Sequence, residues 1–172
     1  MGKEKWRLSR TLKRRVEVRP IEQADVKYAY AGYKKGKLTT MGAPFDQDGM
    51  DPVKFKAAFE QYVLMKSHAA WVISTQTKDG FIPTGIAFGG WAPMEAFMVI
   101  IGIVWFPWAM RRNIVEGTVS FFNTLRKELH WMGFAAGEHK RLYEVCCMHG
   151  IMRRVGTTNL GSAPAAVYEG RR

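Results

Sequence analysis

The segment from Glu138 to Thr158, EHKRLYEVCCMHGIMRRVGTT, constrains the fold more than any other part of the sequence. Side chains recur in it every three or four residues in a way that predicts one face of a short helix: Leu142, Val145, Cys146 and His149. Gly150 follows, and a helix end favours glycine because glycine tolerates a left-handed backbone. Residues Ile151 to Val155 then return to an extended pattern. The segment therefore predicts a helix, a glycine stop and a strand.

This order resembles the C-terminal motif of the GNAT acyltransferase superfamily, in which a helix carrying Leu-Tyr-Glu precedes His-Gly and a basic strand. The start of the chain is a second similarity. Residues Val16 to Val26, VEVRPIEQADV, resemble the opening of a GNAT domain, where a strand ends in Arg-Pro before an acidic first helix. In that family the tyrosine of the C-terminal motif faces the thioester, and the resemblance implies this position for Tyr143.

The remaining patterns predict elements in the same order as in that family. The predicted strands are Val16–Arg19, Ala69–Thr75, Ile82–Trp91, Ala96–Trp105, His130–Ala135, Ile151–Val155 and Ala165–Glu169, and the predicted helices are Ile21–Tyr33, Pro52–Lys66, Asn113–Glu128 and the helix of the C-terminal motif. We expect an α/β (α+β) fold of GNAT type, with a mixed, mostly antiparallel, twisted sheet and about four flanking helices. Residues 16–172 would form this single domain, after a basic arm at residues 1–15.

One apolar stretch requires an alternative interpretation. Residues Phe81 to Met110 contain a single charge, Glu95, and a run of about 20 apolar residues can span a bilayer as a helix. Three prolines and a glycine pair interrupt this stretch, and its longest unbroken piece, Ala96 to Phe106, is rich in β-branched and aromatic residues. Buried central strands are therefore the favoured prediction, ahead of a membrane helix.

Metal and disulfide sites are not predicted. The two cysteines, Cys146 and Cys147, are adjacent, which disfavours both a disulfide between them and a structural zinc site. The segment FDQDGMD, Phe45 to Asp51, is similar to a calcium loop, but its glycine is misplaced and no glutamate closes it. We expect two reduced cysteines of apolar character and no metal.

Charge is concentrated at the two ends of the chain. The formal net charge is +11, which favours contact with nucleic acid, an acidic protein or an anionic membrane surface. The terminal basic residues are Lys3, Lys5, Arg7, Arg10, Lys13, Arg14, Arg15, Arg171 and Arg172. They are predicted to contact DNA phosphates or acidic neighbouring subunits through contacts that salt weakens. A solvated tail is the alternative for the N-terminal arm.

The resemblance also implies a cofactor site. In the family, acetyl-CoA lies where two parallel strands separate, and backbone amides of a Q/R-x-x-G-x-G/A loop hold its pyrophosphate at a helix N-terminus. The corresponding segment here is Met110 to Gly117, MRRNIVEG. Val115 replaces the first glycine and Glu116 adds a negative charge, so the loop is predicted to be a poor phosphate site. The candidate residues of this degenerate loop are Arg111, Arg112, Asn113, Val115 and Gly117.

Catalysis would need a base for the amine and an acid for the thiolate. By position in the family pattern, Glu95 would be the base and Tyr143 the acid. His139 and His149 are further candidates for the base. Each of these side chains is more often structural, as a turn carboxylate, an amphipathic core residue or a helix histidine.

Because the loop departs from the family pattern, we expect a protein that has the GNAT fold but neither catalytic activity nor a bound cofactor. The sequence also resembles small GNAT-like virion proteins of tailed phages, in particular internal or head–tail proteins of short-tailed phages. That resemblance implies a structural virion component that is present in the host cytoplasm during assembly, with other virion proteins as partners. The alternatives are a CoA-dependent N-acetyltransferase that uses acetyl-CoA, and a small basic protein that binds nucleic acid alone.

Overall fold

A computed structural model describes residues 15–34, 51–64, 68–92, 97–135, 137 and 139–170. Its strands are β1 (Val16–Pro20), β2 (His68–Thr77), β3 (Gly80–Trp91), β4 (Met98–Trp105), β5 (Trp131–Ala135), β6 (Arg153–Leu160) and β7 (Ala163–Gly170). Its helices are a 3-10 turn (Gln23–Asp25), α1 (Val26–Lys34), α2 (Pro52–Leu64), α3 (Arg111–Glu128) and α4 (His139–Met148). The predicted α/β class is confirmed.

The strands form one seven-stranded sheet in the order β1-β2-β3-β4-β5-β7-β6. Neighbours pair antiparallel except β4 and β5, which run parallel. Helix α3 connects these two parallel strands, as a crossover of this kind requires. The sheet is therefore mixed and mostly antiparallel, as predicted, and its one parallel pair lies near its centre.

Helices cover both faces of the sheet. Helices α3 and α4 bury Phe121, Phe122, Leu125, Tyr143 and Cys146 against one face. Helices α1 and α2 bury Ala29, Phe55 and Phe59 against Ile86, Phe88 and Val104 on the other face. Each large apolar side chain buried in this way contributes about 1.5–3 kcal/mol. The two faces are called here the α3/α4 face and the α1/α2 face.

The arginine of the Arg-Pro sequence at the end of β1 forms an ion pair with Asp25. Both terminal nitrogens of Arg19 donate to the Asp25 carboxylate at 2.8 Å, and the backbone N–H of Glu22 donates to the same carboxylate at 2.8 Å. Asp25 is 2% exposed, and its hydrogen bonds raise the pKa of Arg19. This pair fixes the turn from β1 into the first helical segment.

The structure corrects several predicted details. Helix α3 begins at Arg111 rather than Asn113, and β6 extends to Leu160 before a hairpin turn at Gly161, whose φ is +62°. In α4 the buried positions are Tyr143 and Cys146, so the predicted face is rotated toward Tyr143. Gly150 has φ +65°, which confirms the predicted helix stop.

The structure also bears on the apolar stretch and on the calcium-like segment. Among the residues that the structure describes, none of the helices has the length and apolar character needed to cross a membrane. Residues 45–50 of the calcium-like segment lie outside the described residues. In the described part, no group of three His, Cys, Asp or Glu side chains is placed to hold a metal ion.

Candidate functional site

The parallel strands β4 and β5 separate after a short shared stretch. Within the described strands, the pairing joins Met98 to Trp131 and continues to Ile100 and Gly133. Beyond that point β4 continues along β3 to Trp105, whereas β5 continues along β7 to Ala135. The sheet therefore splits into two halves, and the gap opens toward the carboxyl ends of the parallel pair. Ligands of open α/β sheets bind at such carboxyl ends.

A β-bulge explains why the strands separate. The register with β3 pairs Gly89 with Ile100 but Phe88 with Gly102, so one extra residue is inserted in β4. An inserted residue bends a strand and changes which face its later side chains occupy. Accordingly, Ile100 packs in the α3/α4 core before the bulge, and Ile103 packs against the same core after it. The bulge turns β4 away from β5 at the point where their pairing stops.

Tyr143 lies against the separation point. It is 7% exposed, and its ring packs on Phe122 and Tyr168 with centroid distances of 5.0 and 4.9 Å. A β-carbon at Gly133 would lie 3.1 Å from Cε1 and 3.3 Å from the hydroxyl oxygen of Tyr143. The tyrosine therefore approaches β5 at Gly133, the last residue of β5 that pairs with β4, and glycine permits that approach.

Burial makes this tyrosine harder to deprotonate. Desolvation, with smaller contributions from Cys146 and Tyr168, raises the pKa of Tyr143 far above its ordinary value of 10.0. The hydroxyl is therefore protonated at neutral pH and can act as a proton donor.

The N-terminus of α3 lies just beyond the carboxyl end of β4. The side-chain oxygen of Asn113 accepts the N–H of Met110 at 3.0 Å, and the first helical bond runs from Ile114 to Met110 at 3.1 Å. Helix geometry leaves the N–H groups of Arg111 and Arg112 without an acceptor inside α3, whereas the N–H of Asn113 points to the Met110 side chain. These groups and the helix dipole favour an anion at this end.

The predicted phosphate loop is not a loop, which corrects its placement. The connection between β4 and α3 is residues 106–110, closed by a bond from the N–H of Ala109 to the carbonyl of Phe106 at 2.9 Å. Val115, Glu116 and Gly117 lie within α3. The bulk of Val115 therefore does not stand in the connecting turn, where the alignment had placed it.

The charge of Glu116 is also compensated. Its carboxylate accepts a hydrogen bond from Nε of Arg112 at 2.8 Å, and the Glu116 side chain is 18% exposed. Arg111 is exposed and, among the described residues, makes no ion pair. The helix start therefore keeps one uncompensated arginine beside its amides.

Gly117 has a packing role. A β-carbon there would lie 2.6 Å from Cη2 of Trp105 and 3.0 Å from Cγ2 of Ile73. Glycine lets α3 approach the sheet closely, over the indole that ends β4. The predicted position of Gly117 near a cofactor phosphate stays a prediction.

Several predicted site residues lie outside the described part of the chain: Lys3, Lys5, Arg7, Arg10, Lys13, Arg14, Glu95, Arg171 and Arg172. Arg15 is described and exposed. The predicted contacts of these basic residues stay predictions, as does the boundary between arm and domain.

Sequence reasoning missed three features of the site. It did not identify Gly133, the bulge in β4, or the polar group formed by His130, Arg153 and Glu169. One signal for the last was available, because a charged residue in the otherwise apolar strand AAVYEG needs a partner.

No family model matches the sequence, and no curated protein matches it. Solved structures do match. One is apo FdhC, a nucleotide-linked sugar GNAT, with a TM-score of 0.62 and 10% identity over 91% of this chain and 86% of that chain. Another is AAC(6')-Ib in complex with ribostamycin and coenzyme A, with a TM-score of 0.62 and 12% identity over 91% of this chain and 93% of that chain.

A third match is spermidine/spermine N-acetyltransferase SpeG from Vibrio cholerae, with a TM-score of 0.58 and 10% identity over 92% of this chain and 93% of that chain. At these identities the likeness shows the fold, and the fold is that of GNAT acetyltransferases. None of the three is named as a virion protein, so a virion role stays a prediction from sequence resemblance.

These matches overturn the expectation that the chain uses no cofactor. AAC(6')-Ib has been solved on this fold with coenzyme A and also with acetyl-CoA. The physical basis of the expectation fails as well, because Val115 and Glu116 lie inside α3 and Glu116 is paired with Arg112.

Proposed function

We propose that this protein is an acetyl-CoA-dependent N-acetyltransferase. The observation that carries the proposal is the separation of β4 and β5 at Ile100 and Gly133, with the Tyr143 ring against Gly133. The gap, the proton donor and the helix N-terminus all lie toward the carboxyl ends of the parallel strands. The GNAT fold of the matched structures supports the same conclusion.

The described residues fit acetyl-CoA. The free N–H groups of the first turn of α3 and the exposed side chain of Arg111 would hold the phosphates. The unpaired backbone edges of β4 and β5 would hold an extended, amide-containing arm, as strand edges hold peptides. Acetyl-CoA would supply the acetyl group as a thioester.

Tyr143 would donate a proton to the departing thiolate. Its hydroxyl is protonated over the whole physiological range, as that of an ordinary tyrosine also is, and its position against Gly133 places it where the gap begins. A positioned acid of this kind contributes about 10²–10⁴-fold to a rate.

Cysteine chemistry is not supported by the geometry. Cys146 is fully buried, and desolvation raises its pKa to about 12. Burial also raises the pKa of Cys147. Because the thiolate is the nucleophilic form, neither thiol is prepared to carry the acetyl group. Transfer would be direct, from the thioester to the amine.

Calorimetry with coenzyme A tests the proposal. We expect saturable binding with a dissociation constant on the order of micromolar to millimolar, the range of typical substrate affinities. Arg111→Glu should weaken it about tenfold or more, because it places a negative charge at the helix N-terminus.

Arg141→Glu is the matched control. Arg141 is exposed on α4, and this variant makes the same change in net charge on a helix other than α3. Equal weakening by both variants would show a nonspecific charge effect, and an absence of binding heat in the wild-type protein would contradict the proposal.

A further inference from the structure

A cavity lies at the end of the sheet opposite the proposed cofactor site. Its volume is about 310 Å³, which is near the lower limit for small-molecule sites. The last turn of α3, the turn after α4, the start of β6 and the end of β7 line it with Arg126, Gly150, Ile151, Met152, Arg153 and Glu169. Gly170 pairs with Trp131 at the start of β5, whereas the gap opens beyond Gly133. We call this space the Arg126 cavity.

Arg126 brings an uncompensated positive charge to the cavity. Its Nη1 donates to the carbonyl of Gly150 at 2.8 Å, and its Nε donates to the side-chain oxygen of Asn123 at 3.2 Å. Both acceptors are neutral, and among the described residues Arg126 makes no ion pair. A guanidinium has five N–H donors, so about three remain after these two bonds. The group is therefore held in place and can still bind an anion.

The other charged groups of the cavity compensate one another. Nε of Arg153 donates to Oε1 of Glu169 at 2.7 Å, Nη2 of Arg153 contacts the same oxygen, and Nε2 of His130 lies 3.3 Å from Oε2. Two arginines and one glutamate leave the lining with a formal charge of +1. Because Glu169 is buried in the same lining, it repels a second negative charge on a ligand. The cavity therefore favours a monoanion over a dianion.

The cavity also has an apolar wall. Ile151 and Met152 are both buried and both line it. The N–H of Gly150 donates to the carbonyl of Cys147 at 2.9 Å, and the N–H of Ile151 donates to the carbonyl of Cys146 at 3.0 Å, so the end of α4 holds this wall in place. Small-molecule sites combine apolar surface with a few polar groups that fix the orientation of the ligand. A ligand with a short apolar body beside its charged group matches this lining.

We propose that the Arg126 cavity binds a small organic monocarboxylate at a site separate from the acetyl-CoA site. The carboxylate accepts hydrogen bonds from the remaining N–H groups of Arg126, and the apolar body lies against Ile151 and Met152. Arg111 and Arg126 stand near opposite ends of α3, about 22 Å apart along the helix axis. One small ligand therefore does not reach both arginines. The proposal does not depend on the acetyltransferase activity.

A chemical-shift titration of the nitrogen-15-labelled full chain tests this site, with pentanoate as the probe. We expect saturable shifts of the amides of Gly150, Ile151 and Arg153, with a dissociation constant on the order of millimolar. Pentanamide has the same size but no charge, and it should bind about tenfold more weakly or less. Inorganic phosphate should also bind more weakly than pentanoate, because it is largely a dianion at neutral pH.

Two variants on the same helix separate the two sites. Arg126→Gln should weaken pentanoate binding about tenfold or more and leave the affinity for coenzyme A unchanged. Arg111→Gln is the matched control, because it removes the same charge from the other end of α3. It should leave pentanoate binding unchanged and weaken coenzyme A binding. Equal weakening of pentanoate binding by the two variants would show a general effect of net charge and would contradict the site.

The wild-type titrations decide the question even where Arg126→Gln does not fold. Absence of saturable shifts with pentanoate, equal binding of pentanamide, or tighter binding of phosphate would overturn the proposal. Arg126 would then serve only to attach the end of α3 to the turn at Gly150. Absence of coenzyme A binding in the wild type would instead remove the proposed function and leave the pentanoate result standing.

Discussion

Two buried tyrosines in contact have different surroundings and different expected roles. Tyr143 lies against Gly133, where the gap between β4 and β5 begins, whereas Tyr168 is fully buried in β7. Their rings are 4.9 Å apart, so both belong to the same core. The effects of removing each hydroxyl should nevertheless separate catalysis from packing.

Tyr143→Phe should lower kcat about 100-fold, because the variant keeps the ring but loses the proton donor. Coenzyme A affinity should not change, since the phosphates are proposed to bind at the N-terminus of α3 and not at Tyr143. Steady-state thiol release and calorimetry measure the two quantities. A variant with wild-type kcat would show that the acid is another group.

Tyr168→Phe should raise the melting temperature. In the described structure the Tyr168 hydroxyl is buried without a hydrogen-bond partner, and such a group costs about 1–3 kcal/mol. We expect a gain of about 1 kcal/mol in the free energy of unfolding, with kcat unchanged. A loss of stability in a denaturant titration would reveal a partner for this hydroxyl.

Gly133→Ala should affect both stability and rate. The added β-carbon would lie 3.2 Å from Cζ3 of Trp131 and 3.1 Å from Cε1 of Tyr143. Overpacking of this kind costs about 1–3 kcal/mol, and a displaced Tyr143 should lower kcat. A control is Gly156→Ala, where a β-carbon would meet no atom within 4 Å. Equal effects of the two substitutions would contradict the close approach of Tyr143.

At the scale of elements, the entry from β1 into the helical layer depends on one ion pair. Asp25→Ala removes a buried carboxylate that accepts three hydrogen bonds, and it leaves Arg19 without its ion-pair partner. Because the Arg19 side chain is 30% exposed, water compensates in part, and we expect a loss of about 2–3 kcal/mol. Chemical denaturation measures it. Asp79→Ala, in the exposed turn between β2 and β3, should change stability by less than about 0.5 kcal/mol.

The elements of the site show what the sequence could and could not predict. The helix connecting β4 and β5 follows from its apolar periodicity, and its neighbours from their β-branched composition. The predicted start, Asn113, is two residues too late. In the structure the helix begins at Arg111, and the Asn113 side chain accepts a hydrogen bond from the N–H of Met110, the residue before the helix. The bulge in β4 depends on pairing with β3, a contact between strands that no local pattern encodes.

At the scale of the molecule, element order was sufficient for the fold but not for the cofactor. The order of helices and strands predicted a mixed, mostly antiparallel sheet, and the family resemblance implied the parallel pair within it. The expectation of no cofactor was wrong because it judged Val115 and Glu116 from an alignment. In three dimensions they lie inside α3, and Glu116 is paired with Arg112. The predicted helix Asn113–Glu128 already contained both residues, so the alignment with a loop conflicted with it, and only the ion pair depends on the folded structure.

Net charge gives a prediction for the whole chain. With a formal charge of +11, the protein should attract the polyanionic coenzyme A over several ångströms, and salt should screen this attraction. Coenzyme A affinity should therefore fall as ionic strength rises from low to physiological values, and the fall should be smaller for Arg111→Glu. Calorimetry at several salt concentrations measures it. An affinity independent of salt would assign binding to apolar contacts alone.

The most direct test is a crystal structure with coenzyme A. The account predicts that the pantetheine arm lies between β4 beyond Ile100 and β5 beyond Gly133, with the sulfur near the Tyr143 hydroxyl and the diphosphate at the amides of Arg111 and Arg112. Coenzyme A bound elsewhere, or β4 and β5 paired along their whole length with no space between them, would contradict it.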